Sequence, residues 1–359
     1  MLVKWLVHLC FAIKMSTAKN IVLITPGFPT SESDYLCMPY LQTFLKQVEK
    51  DHEDLSIRII SLQYPYSASS YDWHGIKVFA CGGANRPFPI RLFYWRKALN
   101  QLSKLHKEKK VDVVHSLWLG ECTYLAQRWA TSHKVKHVAT AMGQDVLTSN
   151  RYLNRINLDK LTSVLLSDFQ NQELEKTLGR GTGHVIPWGL DAMTGTENPR
   201  EIDILGVGSF IKLKDYELFL AVIALVVKTY SKLRVTLIGD GPEKARLEQL
   251  AKTLNITDNI KFLGEVPRPN VLETMQRSNV FLHTSTYESQ GYVLNEALAS
   301  GMSIVSRKVG LAEASGRWSI CETRQEMADA SLSLLGQTFE PISIMSVQKT
   351  IEGYKRLYN

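Results

Sequence analysis

Apolar residues along this chain follow two alternating rhythms. Short β-branched runs bounded by Gly, Pro or Ser predict buried strands, and longer segments with apolar positions three and four apart predict helices. Two such series follow one another. In the first, strands are expected at 21–25, 56–61, 111–115, 137–141, 161–167 and 184–186, with helices at 40–48 and 121–131. In the second, strands are expected at 203–207, 234–238, 260–263, 280–285 and 303–306, with helices at 216–230, 242–254 and 292–299. A last helix is expected at 346–358. Strands alternating with helices predict α/β architecture with parallel sheets. The polar stretch 192–201, with Gly195, Asn198 and Pro199, is the natural linker. This divides the chain into a first domain at 1–195, a second at 196–340 and a terminal helical segment at 341–359. Ligands of open parallel sheets sit beyond the carboxyl ends of the strands, so two such domains facing each other enclose one deep cleft.

The most informative segment is FLHTSTYESQGYVLNEALASGMSIVS, 281–306, which sets Glu288 and Glu296 eight positions apart across a strand-to-helix junction. Residues 288–291 form the turn, and Gly291 opens a helix that Gly301 stops. The first amides of such a helix lack internal acceptors and carry the positive end of its dipole, so they hold a phosphate without a basic side chain. Glu296, one turn further in, is placed to reach a ribose diol. Glu288, on the turn, faces whatever lies beyond the phosphates.

This segment resembles the E-x7-E element of retaining glycosyltransferases of family 4. The resemblance implies that Glu288 lies by the donor sugar, that Glu296 holds the ribose, and that the amides of Gly291, Tyr292 and Val293 bind the diphosphate. GVGSFIKLKDYELFLAVIAL, 206–225, resembles the family's G-R-L-x-x-x-K element, which assigns Gly208 and Ser209 to the donor and Lys214 to phosphate binding. A fixed cation there stabilises the negative charge that grows on a departing diphosphate. The later FLGEV places backbone from Gly264 to Pro267 beside the nucleotide base. G-D-G at 239–241 is no dinucleotide fingerprint, because Lys244 stands where a third Gly is required.

The first half matches more loosely, through VDVVHSLWLGE, ATAMGQDV and VIPWGLD, and it departs from the family in several places. Met142 replaces a common His, Ser209 replaces the phosphate-clamping Arg, and Trp188 replaces a common Asn. Of the usual Gly pair in the first loop only Gly27 remains, assigned to the donor. Met142, Gly143, Asp145 and Trp188 are the expected acceptor-side residues. Asp145 would orient an acceptor hydroxyl, Glu121 and His115 are weaker candidates for that role, and Lys212 is a candidate to compensate for the missing Arg. The resemblance implies the GT-B fold: two Rossmann-like domains, the acceptor on the first and the nucleotide sugar on the second, with the terminal helix returning to the first. The expected reaction is metal-independent transfer of a sugar from a nucleotide diphosphate to a hydroxyl, needing no cofactor, since no D-x-D motif occurs. A sugar-nucleotide epimerase or hydrolase of the same fold, or a non-catalytic nucleotide-sugar-binding subunit, are the alternatives.

Composition adds an asymmetry. The formal net charge of +7 lies wholly in residues 1–196, the remainder being neutral. Basic residues cluster in RLFYWRKALNQLSKLHKEKK, 91–110, where Leu92, Trp95, Leu99, Leu102 and Leu105 recur at helical spacing. Such a helix packs its apolar stripe on a sheet or meets anionic lipid headgroups. No recognised nucleic-acid motif accompanies the charge. The expected partners are therefore a nucleotide sugar, a glycan or lipid-linked acceptor and an anionic membrane surface. Five scattered cysteines, an odd number without a C-x-x-C pair, indicate neither a disulfide framework nor a zinc site and fit a reducing cytosol. The first fourteen residues are apolar but too short to span a bilayer, which leaves an interfacial anchor or an overextended start as their two explanations. A cytoplasmic enzyme, peripheral on the inner face of the membrane, is the resulting expectation.

Overall fold

The computed structural model describes residues 18–181, 183–191 and 199–359. The apolar segment 1–14 and most of the linker lie outside the described residues. In chain order, the first domain contains β1 (Lys19–Gly27), α1 (Pro39–Asp51), β2 (Leu55–Tyr64), β3 (Ser69–Trp73), β4 (Ile76–Ala80), α2 (Arg91–Glu108), β5 (Val113–Leu117), α3 (Glu121–His133), β6 (Lys136–Thr140), β7 (Thr162–Leu165), α4 (Asp168–Leu178) and β8 (His184–Val185). The second contains β9 (Ile202–Val207), α5 (Tyr216–Thr229), β10 (Val235–Ile238), α6 (Lys244–Thr253), β11 (Ile260–Gly264), α7 (Arg268–Gln276), β12 (Ser278–His283), α8 (Tyr292–Ala299), β13 (Ser303–Ser306), β14 (Trp318–Ile320) and α9 (Arg324–Leu334). The last element is α10 (Val347–Tyr358).

Each domain is one sheet between helices. The first sheet runs β3-β4-β2-β1-β5-β6-β7-β8 and the second β11-β10-β9-β12-β13-β14. All pairings are parallel except β3 with β4. The antiparallel edge was not foreseen, because SSYDW and IKVFA are short and only half covered, which leaves a weak apolar signal. Central strands are buried on both faces: Ile21 and Leu23 point into one core layer while Val22 and Ile24 point into the other. In both sheets the strand order reverses beside the first strand, between β1 and β5 and between β9 and β12. A crevice opens at such a reversal.

Helix α10 lies against the first domain. Tyr358 and Tyr354 are buried there, their hydroxyls reaching His115 Nδ1 at 2.8 Å and Thr140 Oγ1 at 2.9 Å. The two chain crossings between domains run side by side: Leu190 N–H donates to Met345 O at 3.1 Å, and Val347 N–H to Leu190 O at 2.9 Å. One surface expectation changes. Helix α2 buries Tyr94, Ala98, Leu102 and Leu105, so its apolar stripe is rotated from the expected one and Leu92 faces outward.

Candidate active site

The crevice of the second sheet receives the loops that follow β9 and β12. After β9 the chain turns at Gly208, φ 151°, where a Cβ would stand 3.0 Å from Tyr216 Oη and 3.7 Å from Lys214 Cε. Only glycine lets the backbone pass that closely at this φ. Residues 212–214 then make one tight turn, and the Asp215 carboxylate accepts from Leu218 N–H to cap α5. Thr284 Oγ1 donates to Lys214 O at 2.9 Å and Thr286 N–H to Leu213 O at 2.9 Å. The two loops are thus joined by hydrogen bonds that fix the base of the Lys214 side chain.

Three donors converge on a single oxygen of Glu288. Lys214 Nζ lies 2.5 Å, Ser285 Oγ 2.8 Å and His283 Nε2 3.0 Å from Oε1, while Oε2 has no protein partner among the described residues. Burial pushes this carboxyl up, but His283 and Lys214 outweigh it and hold the pKa at about 2. Glu288 is therefore an anchored anion with one oxygen open to the cleft. His283 is itself buried and stacks on Phe281, with ring centroids 5.8 Å apart. It was missed in the sequence because a single His ending an apolar strand gives no sign of its neighbour five residues on.

Glu296 repeats the pattern. Arg268 Nε donates to its Oε1 at 2.8 Å, a terminal guanidinium nitrogen lies 2.8 Å from the same oxygen, and the guanidinium lies 5.9 Å from the Tyr292 ring centre. Burial raises the Glu296 carboxyl, and Arg268 opposes it. Between the two glutamates stands Gly291, φ 75°, whose left-handed turn starts α8 and aims the free amides of Tyr292 and Val293 toward the same space. A Cβ there would meet Leu294 Cδ1 at 2.6 Å.

These groups line one cleft of about 380 Å³. Gly208, Ser209, Lys214, Glu288, Tyr292, Val293 and Glu296 are all in its wall, joined by Arg268 and, from the first domain, by Tyr35, Leu36 and Tyr40. The sequence hint for Tyr35 and Leu36 was two large apolar residues in an otherwise polar loop. Gly27 and Gly264 border the cleft loops without lining it. Lys212 faces a separate surface depression shared with Glu217, Glu243 and Arg246, so it does not compensate for Ser209. The second cation of the cleft is Arg268.

The residues expected on the acceptor side lie elsewhere. Trp188 does not make the cleft more apolar: its side chain is 1% exposed and packs on Phe44, Tyr40 and Tyr354. His115 is fully buried between Tyr358 and Thr140, and burial, with His137 nearby, lowers its pKa to about 3. Asp145 accepts from the amides of Leu119 at 2.6 Å, Gly143 at 2.7 Å and Met142 at 3.3 Å, so both of its oxygens organise their own loops. Glu121 accepts from Tyr94, Trp95 and Gln63 side chains.

What this first-domain set does is hold the Glu288 turn. Ser289 Oγ donates to Met142 O at 2.9 Å and Tyr287 Oη to Gly143 O at 2.8 Å. Gln290, 3% exposed, pairs with both backbone groups of Trp188, accepting from its N–H at 2.7 Å and donating to its carbonyl at 2.6 Å. Ser167 Oγ donates to Ser289 O at 2.5 Å. The turn that carries one glutamate is thus clamped by the opposite domain.

Comparison with known proteins agrees with this geometry. Residues 194–315 match the family model for glycosyl transferases group 1. The chain is 36% identical over 234 residues to N-acetyl-alpha-D-glucosaminyl L-malate synthase of Bacillus anthracis, covering 59% of this chain and 60% of that protein. It is 31% identical over 146 residues to the phosphatidylinositol N-acetylglucosaminyltransferase gpi3 subunit of Schizosaccharomyces pombe, 39% of this chain and 32% of the relative. The chain thus spans less than two thirds of the length of these curated relatives. Among solved structures it resembles TarM, with TM-score 0.75 at 12% identity over 96% of this chain and all of that one. It also resembles Anabaena Alr3699/HepE in complex with UDP and glucose, with TM-score 0.63 at 16% identity over 92% and 91% of the two chains. The chain has the GT-B fold, and most of its second domain matches the group 1 glycosyl transferases.

Proposed function

We propose that the protein is a retaining glycosyltransferase of the family 4 type, moving a sugar from a nucleoside diphosphate to an acceptor hydroxyl without a metal ion. The observation that carries this is the convergence of Lys214, Arg268, the α8 amides and two half-open carboxylates on one cleft. The diphosphate lies against the α8 amides, with Lys214 and Arg268 as its cations. Glu296 Oε2 accepts from the ribose diol, and Glu288 Oε2 accepts from a sugar hydroxyl. The bond between the anomeric carbon and the diphosphate oxygen breaks while the acceptor oxygen bonds to the same face of that carbon. The acceptor proton passes to the departing phosphate, so no protein base is needed. Charge growing on the diphosphate is met by donors already in place.

UDP-N-acetylglucosamine is the first donor to test, because the curated relatives are named for N-acetylglucosaminyl transfer and a structural neighbour holds UDP. A cell-surface glycan or lipid-linked acceptor, presented at the cytoplasmic face of a membrane, suits the basic first domain. The test is acceptor-dependent UDP release with a UDP-sugar panel, in chelator, followed by NMR of the product. Retained anomeric configuration is expected, and an inverted product overturns the retaining assignment. Donor consumption without acceptor favours an epimerase or hydrolase, and binding without turnover favours a non-catalytic subunit. Activity that disappears in chelator and returns with a divalent cation refutes metal independence.

A further inference from the structure

The segment joining β4 to the first turn of α2 carries four large apolar side chains with nothing packed over them. Phe88 is 72%, Phe93 76%, Leu92 46% and Ile90 44% exposed. The segment is held from beneath. Tyr94 Oη donates to Glu121 at 3.0 Å, Trp95 Nε1 donates to the same carboxylate, and Arg91 Nε lies 3.5 Å from it. Those contacts hold Tyr94 and Trp95 against Glu121, and Leu92 and Phe93 are left facing solvent. Around the apolar tip stand Arg86, Arg96 and Lys97, all exposed and in no salt bridge among the described residues. Lys104, Lys107, Lys109 and Lys110 extend the same charge along α2 and just past its end.

An apolar tip within a basic collar is what an anionic bilayer accommodates: aromatic and aliphatic groups enter the interface while Arg and Lys meet the headgroups. The charge argues against a second copy of this domain as occupant, because +7 would face +7. Position agrees as well. Strands β1, β2, β4 and β5 are parallel, so the segment after β4 leaves the same sheet edge as the β1 loop that brings Tyr35 and Leu36 to the cleft.

We propose that residues 86–97 dock the protein on an anionic lipid bilayer, with the first-domain mouth of the cleft turned toward molecules held in that bilayer. The docking itself does not depend on the transferase reading. Only the consequence, that the acceptor is membrane-held, rests on it.

The experiment is co-sedimentation of the full chain with vesicles of phosphatidylcholine alone and of equimolar phosphatidylcholine and phosphatidylglycerol. Binding is expected to the anionic vesicles and to weaken with salt. Phe88→Ser/Phe93→Ser lowers partitioning by about tenfold or more, since two aromatic rings no longer leave water. Arg96→Glu/Lys97→Glu lowers it on anionic vesicles by a similar factor. All four side chains are exposed, so thermal unfolding reports whether the variants stay folded, and donor binding in the second domain is expected to persist. Undiminished partitioning of the Phe variant overturns the proposal and moves the attachment to another surface. Absence of binding to either vesicle overturns it too. So does concentration-dependent self-association abolished by the Phe substitutions, which makes the patch an interface between copies. Loss of vesicle binding with acceptor-dependent transfer to a soluble hydroxyl retained supports docking, and loss of transfer with docking intact strikes the transferase reading alone.

Discussion

The two domains share an architecture but use their cleft-side loops differently. In the second domain the groups that face the cleft come from the loops after β9 and β12, on either side of the sheet reversal, and from the start of α7, and each glutamate is held by one oxygen with the other left open. In the first domain the corresponding loop residues are occupied by protein: Asp145 by three amides, Trp188 by aromatic neighbours, and the carbonyls of Met142 and Gly143 by the opposite domain. One domain presents chemistry and the other mainly holds it in position. The contribution of the first domain to the cleft wall is apolar and aromatic, from Tyr35, Leu36 and Tyr40.

The sharpest way to break this contrast is Glu288→Gln. Amide for carboxylate keeps the shape but removes the anion that Lys214, Ser285 and His283 surround. Turnover is expected to fall by about 10²–10³-fold, on the scale of losing one preorganised electrostatic group, and the unfolding midpoint at neutral pH to fall as well, because Lys214 and His283 lose their anion. A pH series adds a signature. Because the folded-state pKa of Glu288 is depressed, its ionised form stabilises the fold above its ordinary value, and that stability is lost as pH falls toward about 2. The Gln variant lacks this contribution, so wild type and variant converge in stability in acid. Unaltered turnover would remove Glu288 from the mechanism.

Next in size is Gln290→Ala, which tests the clamp. The substitution strands the N–H and carbonyl of buried Trp188, each costing about 1–3 kcal/mol when left unpaired. A lowered unfolding midpoint is expected together with a fall in kcat, because the Glu288 turn loses its brace. A variant that loses stability but keeps kcat would show that the clamp supports the fold and not the site.

How far the sequence revealed the molecule follows from the same contrast. The place of Glu288 and Glu296 on the cleft was legible because a strand end, a left-handed glycine and a helix start lie close together in the chain, and that of Gly208 and Lys214 was legible only through the family resemblance. His283 and Arg268 were not, since each acts on a carboxylate that only the folded chain brings near. The first-domain loops were misjudged for a stronger reason. Whether a loop carbonyl faces a ligand or Ser289 is settled by how two domains close, and no local pattern encodes that. Strand and helix positions were legible where apolar runs were long, and they failed at the half-covered β3 and β4 edge.

Arg268→Ala comes third. Removing a charged hydrogen-bond partner is expected to raise the donor KM by about tenfold or more, in line with 1.5–3 kcal/mol for a charge-assisted hydrogen bond. Its pH dependence is diagnostic. Burial raises the Glu296 carboxyl and Arg268 opposes that, so without Arg268 the carboxyl holds its proton to higher pH. A protonated Glu296 has lost one acceptor for the ribose diol. Donor KM in the variant should therefore improve as pH rises, more steeply than in wild type. A KM that is raised equally at every pH would make Arg268 a phosphate contact with no hold on Glu296.

The smallest expected effect separates position in the sequence from position in space. Lys212 and Lys214 stand two residues apart on the same tight turn, and only the second faces the cleft. Lys212 shares its depression with Glu217, Glu243 and Arg246, which pair with one another. Lys212→Ala should leave donor KM and kcat within about twofold, as for an exposed charge several side chains away from the ligand, whereas Lys214→Ala should abolish most transfer. If Lys212→Ala instead raises the donor KM as much as Arg268→Ala does, then the turn at 212–214 reorganises when the diphosphate binds. The cation opposite Ser209 would in that case come from this loop, and Arg268 would be left with Glu296 alone.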